Sequence, residues 1–416
     1  MDEPYIYADN AATTPLSATA LAAMMPYLTN EFGNPGGVHR RARKAAAALD
    51  QARAAVARAL GTADAREVHF TSGGSEADNW ALRGTVQRFR AQRGRDATAR
   101  IITSAIEHHA VLACCHALEE EGVYVTYLPV DAAGRVDPAA LEEALASNER
   151  AGATTALVSI MLANNEVGTV QNIAALARIA HAHGAPFHTD AVQAAGHIPI
   201  DVAKLGVDVL SISGHKFHGP KGIGALWLTR GLDLPPLIAG GAQEAGLRAG
   251  TENVAGIVGM ATALAEACDG LAARAEHVAQ ARDTLVTHIL GTCPGIQLTG
   301  PACGHTGAGP TDTAGTGHAA LPARLPSIAS FICDGIDGDL LTVLLDRAGV
   351  AAATGSACSS GSPEPSHVLL ALGIDPARAA GALRLSLADD ITPEELDLLK
   401  ERIPAAIKRA RLVSGL

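Results

Sequence analysis

Three short segments of the chain carry an amine, a carboxylate and a glycine turn, each at the end of an apolar run. One run ends at Ser213 and is followed by Lys216, whose amine could form a Schiff base. Another ends at Asp190, whose carboxylate could pair with a protonated ring nitrogen. The third ends in Ser-Gly-Gly-Ser at residues 72–75, where a helix is predicted to begin and its N–H groups could receive a phosphate. Together these are the groups that pyridoxal phosphate needs from a protein.

Candidate residues in these and two further turns also have simpler structural interpretations. Lys216 could be a surface lysine in a turn, since lysine is rarely buried, and Ser75 could be the N-cap of its helix. His108 follows another predicted strand and could stack on a flat ring or carry protons, although His109 could simply help to start a helix. Asn165 could donate to a ring oxygen or only build its turn.

Two residues near the end of the chain could act on a substrate. Cys358 lies in a run of glycine, serine and alanine, where an exposed free thiol indicates reactivity, although it could be only a small loop residue. Arg384 lies in the apolar run 382–387 and could bind a carboxylate through two parallel hydrogen bonds. A salt bridge on a half-exposed strand is the alternative for Arg384.

The elements that must position these residues alternate regularly. From residue 68 to residue 228, short apolar runs are separated mostly by helical patterns, which predicts a mostly parallel sheet with helices on both faces. Lys216 and Asp190 then follow strands, at the sheet edge where such folds bind ligands. A helical pattern that could contain a kink runs from Asn253 to about Leu290, and residues 301–326 are predicted to form a loop or insertion. The rest predicts a small α+β domain, with strands at 327–333, 350–353 and 382–387 and helices at 338–348, 365–372 and 393–409.

Length, composition and charge are typical of a compact enzyme with two domains. The chain has 416 residues, of which 48% are hydrophobic and 18% charged. The net charge of −11 and the lack of a basic block argue against nucleic-acid binding, and no apolar run approaches the ~20 residues of a membrane span. The seven cysteines show no C-x-x-C pair, so neither a disulfide framework nor a zinc site is predicted. Free thiols predict a reducing compartment, the cytoplasm.

Taken together, the motifs resemble those of the cysteine desulfurases, NifS- and IscS-like members of the class V aminotransferase branch of pyridoxal-phosphate enzymes. The resemblance rests on residues 9–14, 33–35 with His39, 70–76, 107–108, 164–166, 188–190 with Gln193, 213–216, 240–253, and 355–358 with 364–367. It implies an α/β fold of the aminotransferase-like type (fold type I). The large domain, residues 15–262, would bind pyridoxal 5'-phosphate around a mostly parallel sheet. Residues 1–14 and 263–416 would form the smaller domain, which carries the cysteine loop and the substrate arginine.

The resemblance also implies a role for each candidate residue. Lys216 would be the Schiff-base lysine, Asp190 would pair with the ring nitrogen and His108 would stack on the ring. Further cofactor contacts would come from Gly74, Ser75, Asn165, Gln193, Ser213, His215 and, reaching the phosphate of the neighbouring subunit of a homodimer, Thr251. The substrate L-cysteine would be bound by Asn10, Ala11, Ala12, Asn165 and Arg384. Cys358, Lys216 and His108 would be catalytic, and no metal is expected.

The activity implied is removal of sulfur from L-cysteine, which gives L-alanine and a persulfide on Cys358. The persulfide sulfur would pass to acceptor proteins such as an iron–sulfur scaffold, or to thiolation pathways. Three other interpretations stay open at this point: a selenocysteine lyase, an aminotransferase in which Cys358 is a bystander, and a non-catalytic binding protein that keeps the fold.

Overall fold

The computed structural model describes residues 4–304, 321–355 and 365–415. Within these residues the strands are β1 Ile6–Tyr7, β2 Val68–Thr71, β3 Arg100–Ser104, β4 Tyr124–Leu128, β5 Thr155–Ser159, β6 Phe187–Asp190, β7 Val209–Ser213, β8 Gly224–Leu228, β9 Ile296–Leu298, β10 Ile328–Cys333, β11 Val350–Ala351 and β12 Ala382–Ser386. The helices are α1 Ala18–Leu28, α2 Arg40–Ala59, α3 Gly74–Arg93, α4 His109–Glu120, α5 Pro138–Arg150, α6 Ile173–Ala182, α7 Val202–Leu205, α8 Val254–Cys268, α9 Leu271–Thr292, α10 Gly338–Arg347, α11 His367–Ala371, α12 Pro376–Ala379 and α13 Pro393–Ser414.

A seven-stranded sheet forms the centre of the molecule, with the strand order β2-β8-β7-β6-β5-β3-β4. The neighbouring pairs from β7 to β4 are parallel, whereas β8 is antiparallel to both β7 and β2. Only a short turn separates Ser213 from Gly224, which is too little chain for the crossover that parallel strands require. The predicted mostly parallel sheet is therefore confirmed, with one reversed strand.

The central strands explain why polar residues gather on one face of this sheet. All residues of β6 and β7 are buried, as expected for strands covered by helices on both faces. Side chains alternate between the faces, so His188 and Asp190 share one face. Asp190 pairs in register with Ser211 of the next strand, and Ser213 lies two residues further on. The chemistry-bearing residues are the polar exceptions in an otherwise apolar layer.

A second sheet, with the order β12-β10-β9, is antiparallel. Strand β1 pairs in parallel with β11, and Ile6 and Ala8 are buried in one core cluster with residues of α9, β10, α10, β12 and α13. Strand β9 was not predicted because three residues give too short a pattern. The N-terminal segment thus packs with the C-terminal elements, although the domain boundaries 15–262 and 263–416 stay a prediction.

The helical stretch predicted from Asn253 is two helices, α8 and α9, which meet at a 73° bend. Gly270 caps α9 with a φ of 64°, a conformation that glycine adopts readily. The predicted kink is therefore confirmed. Among the residues that the structure describes, no single helix is long and apolar enough to cross a membrane, and only this bent pair passes that test jointly.

Candidate functional site

The glycine turn at residues 72–75 joins β2 to the N-terminus of α3. Gly73 is the N-cap residue and provides no side-chain hydrogen bond. The N–H groups in the first turn of any helix lack intrahelical partners, and this helix has 20 residues whose dipole favours an anion at this end. Ser75 lies inside the helix, so its interpretation as the N-cap is wrong. The turn is instead built so that backbone N–H groups and the Ser75 hydroxyl can receive a phosphate.

Close packing around this turn leaves no room for a side chain at Gly74. A Cβ added to Gly74 would lie 2.7 Å from Val192 Cγ2 and 3.5 Å from Ser213 Cβ. The buried Ser213 hydroxyl lies 4.0 Å from the Cβ position at Gly73. The Ser213 hydroxyl and the N-terminus of α3 therefore lie close together at the end of β7. This donor set fits the phosphate of pyridoxal phosphate.

Lys216 ends the short turn that follows β7, and its side chain is partly buried. Its Nζ donates to the carbonyl oxygens of Ala11 at 2.6 Å and Ala12 at 2.9 Å. Gln193 Nε2 donates to the same Ala11 oxygen at 2.8 Å. The interpretation of Lys216 as a surface lysine is wrong, because the amine lies against the N-terminal segment together with Gln193.

Asp190 ends β6 and is 4% exposed. One carboxylate oxygen accepts the Val192 N–H at 2.8 Å. Burial raises the pKa of Asp190, and the positive charges of His108 and Lys216 act in the opposite direction. The predicted acid therefore lies close enough to the imidazole and to the amine for their charges to change its pKa. A protonated ring nitrogen beside Asp190 would add a further cation and favour the carboxylate.

His108 is the N-cap residue of α4, since its Nδ1 accepts the Ala110 N–H at 3.1 Å. The helix itself begins at His109, so both histidines take part in the start of α4. The ring of His109 lies 4.7 Å from that of His367. Capping fixes the orientation of the His108 ring at the carboxyl edge of the sheet, where a stacked cofactor ring would lie.

Arg384 lies in the fully buried strand β12 and is 2% exposed, so the half-exposed strand of the alternative interpretation is wrong, whereas its salt bridge is present. Its Nη2 donates to Asp9 Oδ1 at 2.7 Å and its Nη1 to the Asn165 carbonyl oxygen at 2.9 Å. Within the described residues its Nε has no hydrogen-bond partner. A buried guanidinium with one unpaired N–H is a donor for an incoming carboxylate.

The N-terminal segment completes this side of the site. Asn10 Nδ2 donates to the carbonyl oxygens of Tyr7 and Ser386, each at 3.0 Å. His215 Nδ1 lies 3.1 Å from Thr13 Oγ1. Burial, with the nearby lysine charges, lowers the pKa of His215 to about 4, so this imidazole is neutral at neutral pH.

One predicted residue is not brought into this group, and another lies outside the described residues. Thr251 is exposed on the segment that precedes α8. Cys358 lies outside the described residues, within 356–364. Their predicted roles stay predictions.

A buried polar layer under Asp190 was not predicted. Asp78 of α3 is 1% exposed, and burial together with the charge of Asp190 raises its pKa well above the usual range. His188 is fully buried between Ser159 Oγ at 2.8 Å and Ser211 Oγ at 3.0 Å, and burial lowers its pKa to about 3. Spacing could have indicated Asp78, because it lies three residues after Ser75 and so shares its face of α3.

Glu107 gives the stability of the fold a pH dependence. It is fully buried, and burial raises its pKa from 4.5 to about 8, despite hydrogen bonds from Ser104 and Met161. The folded state therefore binds more protons than the unfolded state between these pH values, so the free energy of unfolding falls as pH rises through that window. Glu107→Gln is expected to flatten this fall, measured by urea denaturation across the window. Exposed Glu120→Gln is the control, and an unchanged slope in Glu107→Gln would contradict the assignment.

The chain is similar in sequence to a known protein family over nearly its whole length. A family model described as aminotransferase class-V matches residues 6–399. The chain is 44% identical over 411 residues to the cysteine desulfurase IscS of Methanosarcina thermophila, covering 99% of this chain and 94% of that protein. It is 42% identical over 407 residues to the IscS-like cysteine desulfurase of Mycobacterium tuberculosis, covering 97% of each.

The fold is also similar to that of solved structures of related proteins. A structure described as a NifS-like protein superposes with a TM-score of 0.84 at 35% identity, covering 99% of this chain and 100% of that one. A structure of SspA in complex with cysteine superposes with a TM-score of 0.74 at 34% identity, covering 92% and 98%. The similarity therefore extends over both sheets and the elements that hold the site.

Proposed function

The chain belongs to the aminotransferase class-V family, and from that premise we propose how it removes sulfur from L-cysteine. It is a cysteine desulfurase, as its relatives across nearly the whole chain indicate. One observation carries the proposal for the site: Lys216, Asp190 and the N-terminus of α3 meet at one edge of the central sheet, beside the side chain of Gln193. Members of this family are pyridoxal-phosphate enzymes, and the donors around this edge suit that cofactor.

We assign the cofactor contacts as follows. The phosphate would be received by Gly74, Ser75, Ser213 and His215, and by Thr251 of a second subunit. Asp190 would hold the proton on the ring nitrogen, His108 would stack on the ring, and Asn165 and Gln193 would bond around the ring oxygen. When bound, pyridoxal phosphate supplies a protonated ring that withdraws electrons from the α-carbon of the substrate. Lys216 would be the residue that holds this cofactor, and its amine is placed to act as the base for the α-proton.

The substrate carboxylate is assigned to Arg384, with Asn10, Ala11, Ala12 and Asn165 around it. The unpaired Nε–H of Arg384 supports this assignment. Asp9 holds the guanidinium in place through Nη2, so the arginine can offer its Nε–H without moving.

Arg384→Lys is expected to raise the KM for L-cysteine by ~10- to 100-fold, because lysine keeps the charge but loses a charge-assisted hydrogen bond in fixed geometry. The kcat should change much less, since the reacting atoms are not contacted. The exposed Arg378→Lys is the control. Steady-state kinetics with unchanged KM in Arg384→Lys would remove Arg384 from the substrate site.

Cys358 is assigned as the sulfur acceptor. Glu166, next to Asn165, contacts residues that flank 356–364: its Oε2 accepts from Ser366 Oγ at 2.5 Å and lies 3.0 Å from the Cβ position at Gly355. The segment that contains Cys358 therefore begins and ends beside the site.

The other cysteines are poor acceptors. Six of the seven are in the described residues, all as free thiols. Burial raises the pKa of each cysteine for which a shift is resolved, which opposes formation of the reactive thiolate: Cys114, Cys115, Cys268, Cys303 and Cys333. This supports Cys358 as the nucleophile.

In the transfer step the Cys358 thiolate attacks the substrate sulfur. An S–S bond forms, the Cβ–S bond breaks, and its electron pair remains on the carbon side. That carbon is then protonated, so L-cysteine and the enzyme thiol become L-alanine and an enzyme persulfide, with no outside oxidant.

A homodimer is part of the proposal because α1 presents an apolar surface. Leu21, Met25 and Leu28 recur on one face of this helix and are 45–58% exposed, and Phe32 is 68% exposed. Monomers rarely leave such a surface uncovered. Sedimentation of Leu21→Glu/Leu28→Glu should give a smaller species than the parent.

We further propose that the persulfide sulfur passes to acceptor proteins, such as an iron–sulfur scaffold, in the cytoplasm. The free cysteines in the described residues suit a reducing compartment. Transfer of radioactive sulfur from labelled enzyme to a purified scaffold protein tests this step, and retention of all label on the enzyme would contradict it.

The proposed function is tested by incubating the purified protein with L-cysteine, pyridoxal phosphate and a thiol reductant. Alanine and sulfide are expected in equal amounts. A keto acid in place of alanine would favour the aminotransferase interpretation, and turnover of selenocysteine alone would favour the lyase. A protein that shows no cofactor absorbance would be a binding protein.

A further inference from the structure

Asp389 lies where the segment after β12 meets the turn that carries Lys216. Its carboxylate oxygens are 3.7 Å from His197 Nδ1, 3.6 Å from His218 Nε2 and 3.5 Å from Arg274 Nε. The Asp389 side chain is only 18% exposed. One partly buried carboxylate therefore faces three basic side chains from separate elements.

Both histidines use their other ring nitrogen on a backbone carbonyl near the lysine. His197 Nε2 donates to the Lys216 carbonyl oxygen at 2.9 Å, and His218 Nδ1 donates to the Pro15 carbonyl oxygen at 3.0 Å. Because a carbonyl only accepts, it fixes which nitrogen carries the proton in each neutral ring. The nitrogen that faces Asp389 carries a proton only when the imidazole is a cation.

The turn itself has an unfavourable backbone conformation. His218 has a φ of 63°, in the left-handed region that residues with a side chain rarely occupy. Its N–H donates to Thr14 Oγ1 at 2.8 Å, and its carbonyl accepts from the Ser17 N–H at 3.0 Å. Such a conformation persists only where the surroundings hold it, and Asp389 supplies one restraint from a distant part of the chain.

The electrostatics of the cluster favour the charged forms. The contact with Asp389 raises the pKa of His218 against the effect of burial, and the charge of Asp390 adds to the rise. Burial would raise the pKa of Asp389, but the contact with His218 and the charges of His197, His218 and Arg274 outweigh it and lower that pKa. Both shifts favour the ion pair.

We propose that Asp389 is a positioning residue for Lys216: it pairs with His197 and His218, and the two rings fix the turn from which the lysine extends. The inference rests on the proposed role of Lys216 in binding pyridoxal phosphate. Asp389 acts through the turn and not on the substrate. When His218 loses its proton at higher pH, the restraint is lost and the amine is held less firmly.

The test compares holoenzymes of the parent, Asp389→Asn and the control Asp390→Asn, which removes the same charge from the exposed neighbour. Enzyme labelled with ¹³C in its histidine rings gives the pKa of His218 by NMR, assigned with His218→Gln. The absorbance of bound pyridoxal phosphate is followed over the same pH range, together with the pH at which kcat/KM declines. In Asp389→Asn the pKa of His218 and both alkaline transitions are expected to fall by about one pH unit, a tenfold change in proton affinity. Asp390→Asn should shift them much less.

Three results separate this inference from the proposed function. If the pKa of His218 falls in Asp389→Asn but the absorbance and kcat/KM profiles match the parent, Asp389 does not position the lysine. Equal shifts in the Asp389 and Asp390 variants would likewise overturn the inference, since general charge would explain both. A parent protein without cofactor absorbance would overturn the proposed function itself. His218→Gln removes the same contact from the histidine side. If Asp389→Asn does not fold, His218→Gln provides the test, and its cofactor absorbance is expected to lose the alkaline transition.

Discussion

Replacement of Cys358 by alanine is expected to abolish the release of alanine and sulfide from L-cysteine, by roughly 10³-fold or more, while the protein still binds pyridoxal phosphate. The reason is that burial raises the pKa of each described cysteine with a resolved shift, which opposes formation of a thiolate that could replace the attacking sulfur. Sulfide and alanine are measured in parallel, with the cofactor absorbance as the check on folding.

The matched control for this variant is Cys303→Ala, which removes a partly exposed thiol with a raised pKa. Mass spectrometry of the parent after one turnover should find one extra sulfur atom on the peptide that contains Cys358. Alanine release by Cys358→Ala at the parental rate would assign the acceptor role elsewhere.

Lys216→Ala is expected to lower turnover by ~10⁴-fold, because the same amine both holds the cofactor and takes the α-proton. The cofactor should still bind weakly through the N-terminus of α3, but borohydride treatment should no longer attach it covalently. The exposed Lys221→Ala, five residues further along the same segment, is the control. Covalent attachment that survives in Lys216→Ala would show that another lysine forms the Schiff base.

Much of the site could be predicted because its residues follow strands. Asp190 ends β6 and Lys216 follows β7, and parallel neighbours bring such positions to one edge of a sheet. The reversed strand β8 could also have been predicted, since the connection from Ser213 to Gly224 leaves no room for a crossover helix. In these places the local sequence pattern is sufficient to predict the structure.

The remainder depends on contacts that no local pattern encodes. Asp389 meets His197, His218 and Arg274 only through the packing of distant segments, and nothing around Asp389 marks it as partly buried. Arg384 was predicted in an apolar strand, with a salt bridge on a half-exposed strand as the alternative because an arginine normally indicates solvent. Its full burial follows from the pairing of β12 with β10 and from the ion pair with Asp9, which lies near the opposite end of the chain.

The contact between the two ends of the chain also decides when a newly made molecule can work. Ala11, whose carbonyl accepts from Lys216, is itself held by the Ser386 hydroxyl, 375 positions away. A ribosome that adds about 5–20 residues per second needs roughly 20–75 s to make that stretch. Until β12 is made, Ala11 lacks the Ser386 hydroxyl that holds it and the substrate arginine does not exist. The site is therefore completed only after β12 has been made, and a chain interrupted before β12 lacks a complete site however well its central sheet has folded.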